Sequence, residues 1–242
     1  MTHLIAIIPA RADSKRVKHK NIRALAGHPL IAYAIHSARQ SQLFDRIIVS
    51  TDSSVIAEIA LQYGAEVPFL RPLAIATSTS PDIEYLTHLF ENITGSYDVF
   101  AILRPPNPFR TAQTIHRAWE TFQQMPEADS IRAVQLCKEH PGKMWAIDGS
   151  YLKPLLPQDH LDVAYHARQY QDLPHVYIQN SALEMAKVSV IKETRSREGK
   201  VIVPFFTEGY EGFNIDYEED FAMAEMLIAK GIVTLPLLST QV

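Results

Sequence analysis

The first half of the chain alternates short apolar runs with longer stretches in which apolar residues recur at helical spacing. The short runs predict buried strands, and the longer stretches predict amphipathic helices. The predicted strands cover residues 4–8, 46–50, 66–69, 99–103 and 130–136, and the predicted helices cover 29–41, 53–63, 81–92 and 112–124. Thr111 is the expected N-cap of the last of these helices, and Gly64 is expected to end the second. The alternation predicts an α/β domain with a Rossmann-like, mostly parallel sheet and helices on both faces.

The alternation is interrupted over residues 139–174, which are rich in Pro, His, Tyr and Gln and lack a long apolar period. We interpret this stretch as an irregular insertion in a single domain that spans residues 1–242. Such an arm usually either closes over a site or reaches across to a second copy of the chain, and the sequence leaves both open. The pattern resumes with predicted strands at 176–179 and 182–191 and a last helix at 217–230, which Gly231 is expected to end.

Composition and charge exclude several classes of protein. Hydrophobic residues make up 47% and charged residues 21% of the 242 residues, which is typical of globular proteins. Cys137 is the only cysteine, so an intrachain disulfide and a zinc site with several thiolates are excluded. The formal net charge of -4 argues against a nucleic-acid partner. The first apolar run is too short for a membrane span or a signal sequence, so we expect a cytoplasmic protein without membrane attachment.

Positive charge is concentrated in the segment after the first predicted strand, which we call the basic loop. Its basic residues are Arg11, Lys15, Arg16, Lys18, Lys20 and Arg23, and its one acid is Asp13. In an open α/β sheet, ligands bind in the crevice at the carboxyl ends of the strands. A triphosphate suits this loop because guanidinium and ammonium groups neutralise phosphate charge. A solvated loop without a ligand is the alternative, and the dinucleotide and P-loop glycine motifs are both absent from the sequence.

Several short motifs follow one another along the chain: IIPAR at 7–11, KNI at 20–22, IVSTDS at 48–53, GAEVPFLRP at 64–72, PFRT at 108–111 and ID at 215–216. Taken in this order, they resemble the acylneuraminate cytidylyltransferases (CMP-N-acetylneuraminic acid synthetases), which are related to the KDO cytidylyltransferases. The resemblance is dense over residues 4–111 and patchy over 137–221. It implies a nucleotide-diphospho-sugar transferase fold and a homodimer.

The resemblance also implies a reaction and a set of site residues. The anomeric hydroxyl of a keto sugar acid attacks the α-phosphorus of CTP, pyrophosphate leaves, and Mg²⁺ is the cofactor. The implied catalytic residues are Arg11, Lys20 and Asp216, of which Asp216 is also the metal ligand. The implied nucleotide contacts are Ser14, Arg16, Asn21, Arg71 and Ser80, and the implied substrate contacts are Arg104, Arg168, Gln171 and Asn180.

Two of these implied site residues, Asp216 and Arg168, have ordinary structural alternatives. Asp216 stands at the start of the last predicted helix, so it could be an N-cap rather than a metal ligand. Asp52 also precedes a helix, and we expect it to be a cap. Arg168 could bind the sugar carboxylate or lie on the surface.

The sequence departs from the family pattern at several positions, of which four bear on the site. Asp13 places an acid beside the expected triphosphate, where it is either an extra metal ligand or a sign of altered nucleotide placement. Asn214 stands where the family carries an aspartate, and Ser181 where it carries a glycine. Arg104 replaces a glutamine. The alternatives are therefore KDO or another sugar, guanine in place of cytosine, or an inactive binding protein with this fold.

Overall fold

The structure is a computed structural model that describes residues 2–157 and 162–238. The chain forms two compact units, one made of Met1–Ala133 with Asn180–Val242 and the other of Val134–Gln179. The second unit contains the predicted insertion and extends slightly beyond it at both ends. Residues 158–161 of that insertion, together with residues 1 and 239–242 of the predicted domain, lie outside the described residues.

The strands of the described residues form one main sheet and two small hairpins. Their bounds are β1 (Leu4–Pro9), β2 (Ala24–Leu25), β3 (His28–Pro29), β4 (Arg46–Ser50), β5 (Val99–Ile102), β6 (Ser130–Leu136), β7 (Trp145–Asp148), β8 (Tyr151–Pro154), β9 (Tyr177–Lys187) and β10 (Ile202–Phe206). The main sheet has the order β10-β6-β9-β5-β1-β4. β1 pairs in parallel with β4 and β5, so that Ile7 lies opposite both Ile48 and Ile102, whereas β9 runs antiparallel to β5. The expected mostly parallel sheet is confirmed.

The predicted helices form close to their expected bounds. These helices are α1 (Leu30–Ser41), α2 (Ser54–Gln62), α3 (Asp82–Asn92), α4 (Ala112–Gln123) and, after the next one, α6 (Glu218–Ala229). The short helix α5 (Ser189–Thr194) was not predicted. Gly64 and Gly231 follow α2 and α6 with φ angles of 86° and 66°, a left-handed conformation that ends helices and suits glycine. Within the described ranges, no helix is long and apolar enough to cross a membrane.

Side chains of β1 alternate between the two faces of the sheet, and both sets are buried. Leu4, Ala6 and Ile8 belong to one hydrophobic cluster with residues of α1, α2 and α4. Ile5 and Ile7 belong to a second cluster with residues of α3 and α5. Helices therefore cover both faces, which explains why the sequence of β1 is an unbroken apolar run.

Two predicted strand regions are wrong in part. Residues 66–69 form no strand; Glu66 alone makes an isolated parallel bridge to Ile48, and Pro68 has no N–H group with which to extend the pairing. The two strands predicted at 176–179 and 182–191 are replaced by a single strand, β9, and the helix α5 that follows it. β9 stops at Lys187 because its partner β5 begins opposite it, at Val99.

Strand β10 was not predicted from the sequence. In the structure its five residues alternate between exposed and buried. Val203 and Phe205 are buried, while the residues between and beside them are exposed. Pro204 argues against a strand because it cannot donate to a ladder. β10 lies at one edge of the sheet, where a missing N–H group is tolerated.

The second unit is less irregular than its sequence suggested, since it contains a β-hairpin. β7 and β8 pair antiparallel, with Asp148 opposite Tyr151 next to the turn. All residues of both strands are exposed. A role for this unit as a lid or as an arm that contacts a second copy stays a prediction.

Thr111 caps α4, as expected from the sequence. Its Oγ1 accepts a hydrogen bond from the Thr114 N–H group (3.2 Å), and Thr114 Oγ1 accepts one from the Thr111 N–H group (3.1 Å). We expect Thr111→Ala to lower the free energy of unfolding by about 1 kcal/mol, measured by chemical denaturation. Thr111→Ser keeps the capping oxygen and should remain close to the parent. An equal loss in both variants would argue against a capping role.

Candidate active site

A cavity of about 620 Å³ opens in the larger unit beside the segments that follow β1 and β5. Parallel strands end at the same edge of a sheet, so residues far apart in sequence meet there. Among the residues with a predicted role, its lining includes Arg11, Ser14, Arg16, Lys20, Asn21, Arg71, Ser80, Arg104 and Asp216. The structure therefore brings Arg11 and Lys20, the candidates for phosphate binding, into the same cavity as Asp216, the candidate metal ligand.

Hydrogen bonds to neighbouring segments hold the basic loop in shape. The buried Asn21 side chain donates from Nδ2 to the Arg11 carbonyl oxygen (3.0 Å). Arg11 Nη1 donates to the Thr77 carbonyl oxygen (2.6 Å), and the Ala12 N–H group donates to Asp52 Oδ1 (2.8 Å). The loop is thereby fixed to two other segments, and four of its six cations, Arg11, Lys15, Arg16 and Lys20, line the cavity.

The contact with Ala12 changes the interpretation of Asp52. Ser53 is the N-cap of α2, because its Oγ accepts a hydrogen bond from the Ile56 N–H group (3.3 Å). The expectation that Asp52 caps this helix is therefore wrong. Asp52 instead anchors the backbone of the basic loop.

Two cations of the basic loop converge on one carboxylate oxygen. Lys20 Nζ and Arg16 Nη2 each lie 3.1 Å from Asp216 Oδ1. Lys20 is also fixed by donating from Nζ to the Ile215 carbonyl oxygen (2.9 Å). The contact with Tyr217, followed by the charge of Asp216, raises the pKa of Arg16. In this cluster the cations suited to phosphate are neutralised in part by the carboxylate suited to a metal ion.

Asp216 does not cap α6. The N-cap is Tyr217, and the Asp220 carboxylate accepts hydrogen bonds from the N–H groups of Asp216 (2.7 Å) and Tyr217 (2.8 Å). The side chain of Asp216 is directed instead to the two cations of the basic loop. The capping alternative is therefore wrong, and the metal-ligand role stays a prediction.

Arg71 forms a rigid part of the cavity wall. Its guanidinium donates from Nη2 to the Ser50 carbonyl oxygen (2.7 Å) and from Nε to Ser50 Oγ (3.0 Å), and it lies 4.7 Å from the centre of the Tyr85 ring. Burial lowers the pKa of Arg71 and raises the pKa of Tyr85 to about 12. Nearby, Ser80 Oγ accepts a hydrogen bond from the Thr77 N–H group (3.2 Å).

Arg104 is balanced by acids in its own surroundings. Its Nη2 contacts Asp82 Oδ2 and lies 3.4 Å from Glu184 Oε1. Arg197 contacts both acids as well, and Arg132 Nη2 lies 3.0 Å from Glu184 Oε2. Arg104 and Asp82, which both line the cavity, therefore present a paired donor and acceptor rather than a single positive charge.

Comparison with known proteins identifies the family of this chain. A family model described as cytidylyltransferase matches residues 5–230. The chain belongs to the cytidylyltransferase family. Cytidylyltransferases are nucleotidyltransferase enzymes, so the resemblance found in the sequence motifs is confirmed.

Individual relatives of this cytidylyltransferase cover nearly the whole chain. It is 36% identical over 231 residues to CMP-N,N'-diacetyllegionaminic acid synthase from Legionella pneumophila, which covers 93% of this chain and 96% of that protein. It is 30% identical over 227 residues to N-acylneuraminate cytidylyltransferase from Escherichia coli, which covers 92% of this chain and 51% of that protein.

A solved structure supports the fold. CMP:2-keto-3-deoxy-manno-octonic acid synthetase complexed with CTP superposes with a TM-score of 0.70 over 95% of this chain and 100% of the other, at 12% identity. At that identity the likeness establishes the fold alone, which agrees with the expected nucleotide-diphospho-sugar transferase type.

Three of the predicted substrate contacts are not among the described residues that line the cavity of this cytidylyltransferase. They are Asn180, Arg168 and Gln171. Asn180 donates from Nδ2 to Thr207 Oγ1 (2.9 Å), and its neighbour Ser181 reaches the cavity instead. Arg168 and Gln171 belong to the second unit. There Arg168 donates from Nε to the Val163 carbonyl oxygen (2.9 Å), and Gln171 lines a separate cavity of about 170 Å³.

Sequence reasoning missed other residues of the lining. Asp82 and Tyr85 lie on one face of α3. Ser181 and Asn214, which the sequence marked only as departures from the family pattern, come from β9 and the segment before α6. The position of Asp82 just after Ser80 was a usable signal. Tyr85 follows the helical period of buried residues, which does not distinguish a cavity wall from the core.

Proposed function

We propose that the protein transfers CMP from CTP to a nine-carbon keto sugar acid of the nonulosonic class. The anomeric hydroxyl oxygen would form a bond to the α-phosphorus while the bond from that phosphorus to the bridging oxygen breaks. The hydroxyl proton passes to solvent water, and pyrophosphate leaves with the electrons of the broken bond. The observation that carries the proposal is the cation-lined cavity of a cytidylyltransferase. The two relatives described above are named for nonulosonic acids, which supports the sugar class.

The basic loop would bind the triphosphate of CTP. Arg11 and Lys20 supply positive charge, and Ser14, Arg16 and Asn21 line the same cavity. Charge builds on the phosphoryl oxygens and on the leaving pyrophosphate during transfer, so fixed cations stabilise the transition state. No protein nucleophile is needed for this chemistry. The rigid Arg71 and the neighbouring Ser80 are the proposed contacts for the rest of the nucleotide.

The sugar acid would meet a different kind of surface. Arg104 is paired with Asp82, so we assign this pair to a polar, uncharged part of the sugar. Arg168, Gln171 and Asn180 are proposed as further sugar contacts on the basis of the sequence motifs, and an arginine fork suits the sugar carboxylate.

Mg²⁺ is the proposed cofactor, and the donor set fits it. Asp216 and Asp13 both line the cavity, and nucleotide-bound Mg²⁺ usually takes one or two carboxylates and completes its shell with phosphate and water. Across the described ranges, no group of three or more His, Cys, Asp and Glu residues could hold a metal by itself. Asp216 would hold the ion, which when bound neutralises charge on the phosphate oxygens.

We also propose a cytoplasmic homodimer. The hairpin of the second unit exposes 79% of Ile147 and 78% of Tyr151, and exposed apolar side chains grouped in this way favour contact with another protein surface. The single cysteine is consistent with a reducing compartment.

Pyrophosphate release tests the proposed reaction. The protein is incubated with each nucleoside triphosphate in turn, Mg²⁺ and a panel of nine-carbon keto sugar acids together with KDO. We expect release with CTP and a nine-carbon acid. Release with KDO alone, or with GTP in place of CTP, would replace the proposed substrates. Binding of CTP without release for any acid would instead indicate a catalytically inactive binding protein.

A further inference from the structure

Three polar residues form a hydrogen-bonded chain along the cavity wall. Ser181 Oγ donates to Asn214 Oδ1 (2.9 Å), and Asn214 Nδ2 donates to Asp216 Oδ2. All three residues line the cavity. The chain connects strand β9 to the carboxylate for which we propose metal binding.

The two carboxylate oxygens of Asp216 consequently have different partners. Oδ1 faces the cations Lys20 and Arg16, whereas Oδ2 accepts from the neutral amide of Asn214. The cations of this cluster are the proposed phosphate ligands, so their contact with Oδ1 would be exchanged when CTP arrives. The amide of Asn214 is not a proposed phosphate ligand, so its hydrogen bond to Oδ2 can persist when CTP binds.

The backbone around this carboxylate is anchored at several points. The Ile215 N–H group donates to the Pro106 carbonyl oxygen (2.9 Å), and Asn107 Nδ2 donates to the Phe213 carbonyl oxygen (2.8 Å). With the backbone fixed, the remaining freedom of Asp216 is rotation of its side chain. The hydrogen bond from Asn214 is the contact that limits this rotation without using a charge.

The hydroxyl of Ser181 determines which end of the Asn214 amide faces Asp216. An amide carries an acceptor on one side and donors on the other. Because Oδ1 accepts from Ser181, Nδ2 is directed toward the carboxylate. The reversed amide would place two oxygens against each other. Positions 181 and 214 are both departures from the family pattern, and the structure brings them into direct contact.

We propose that Ser181 and Asn214 are positioning residues that fix Oδ2 of Asp216 and thereby direct Oδ1 toward the phosphates and their Mg²⁺. This inference rests on the proposed function. It implies that the two residues act in series, since Ser181 reaches the carboxylate only through Asn214.

A double-mutant cycle tests this arrangement. We expect Asn214→Ala to raise the Mg²⁺ concentration for half-maximal activity about 10-fold, the usual scale for losing a residue that orients a metal ligand. Ser181→Ala should raise it by a smaller factor, and the double variant should match Asn214→Ala. Ser181→Thr keeps the hydroxyl and should restore the parent value. Ser189→Ala, an exposed serine on α5, is the matched control.

Binding measured without turnover separates this inference from the proposed reaction. Calorimetry with a non-hydrolysable CTP analogue should show unchanged affinity without metal in each variant, and a smaller gain in affinity when Mg²⁺ is added. Independent, multiplicative effects of the two substitutions would overturn the serial arrangement, as would an equal loss in Ser181→Thr. If Asn214→Ala does not fold, comparing Ser181→Ala with Ser181→Thr still tests whether the hydroxyl at position 181 affects the requirement for Mg²⁺. A parent that binds the analogue with Mg²⁺ but turns over no sugar acid would refute the reaction while leaving this comparison intact.

Discussion

Replacing Lys20 with alanine is expected to lower turnover about 10²-fold or more without unfolding the protein. Its ammonium group is held in the cavity by the Ile215 carbonyl oxygen (2.9 Å) and Asp216 (3.1 Å), and only 12% of its side chain is exposed. A charge held in this way already lies where phosphate charge develops, so it can stabilise that charge once phosphate replaces its contact with Asp216. Steady-state pyrophosphate release measures the loss, and thermal unfolding measures whether the fold survives.

Lys18→Ala is the control for this experiment. Lys18 belongs to the same basic loop but is exposed, and it is not part of the cavity lining. We expect its substitution to leave turnover close to the parent, while Arg11→Ala should resemble Lys20→Ala. A near-normal rate in the Lys20 variant would remove that residue from the phosphate site. Equal losses in the Lys18 variant would indicate a general effect of loop charge.

The location of the basic loop was predictable because the loop follows a strand that the sequence marks as central. An apolar run at the N-terminus indicates a central parallel strand, and the segment after such a strand enters the ligand crevice. Arg11, Lys20 and Asn21 therefore had an expected location before any contact was known. The same reasoning places Arg104, which follows β5 at the same edge of the sheet.

The partners of these residues were not predictable from local sequence. Asp82 and Glu184 come from a helix and a strand far from Arg104 in the chain, and only the folded sheet brings them together. The two aspartates before helices show the same limit. Asp52 and Asp216 have the residue type and position of caps, yet Ser53 and Asp220 satisfy the helix ends. Local signals therefore identify which residues can cap, and long-range contacts decide which residues do.

The Asp216 cluster links these observations to catalysis. A carboxylate that merely balanced Lys20 and Arg16 would be a structural ion pair, and its loss would free the two cations for phosphate. A carboxylate that binds Mg²⁺ would be needed for transfer even though it weakens the attraction for phosphate beforehand. The two roles predict opposite effects on turnover but the same effect on binding of metal-free CTP.

Asp216→Asn separates these roles because it keeps the side-chain shape and removes the charge. We expect turnover to fall about 10²-fold, while affinity for CTP without metal stays the same or rises, because a negative charge near the phosphates is lost. The free energy of unfolding should change by less than about 1 kcal/mol, as the lost pair is partly exposed. Glu219→Gln removes a nearby exposed acid outside the cavity and should leave both quantities unchanged. Turnover that rises with affinity in Asp216→Asn would make Asp216 a counter-ion of the basic loop rather than a metal ligand.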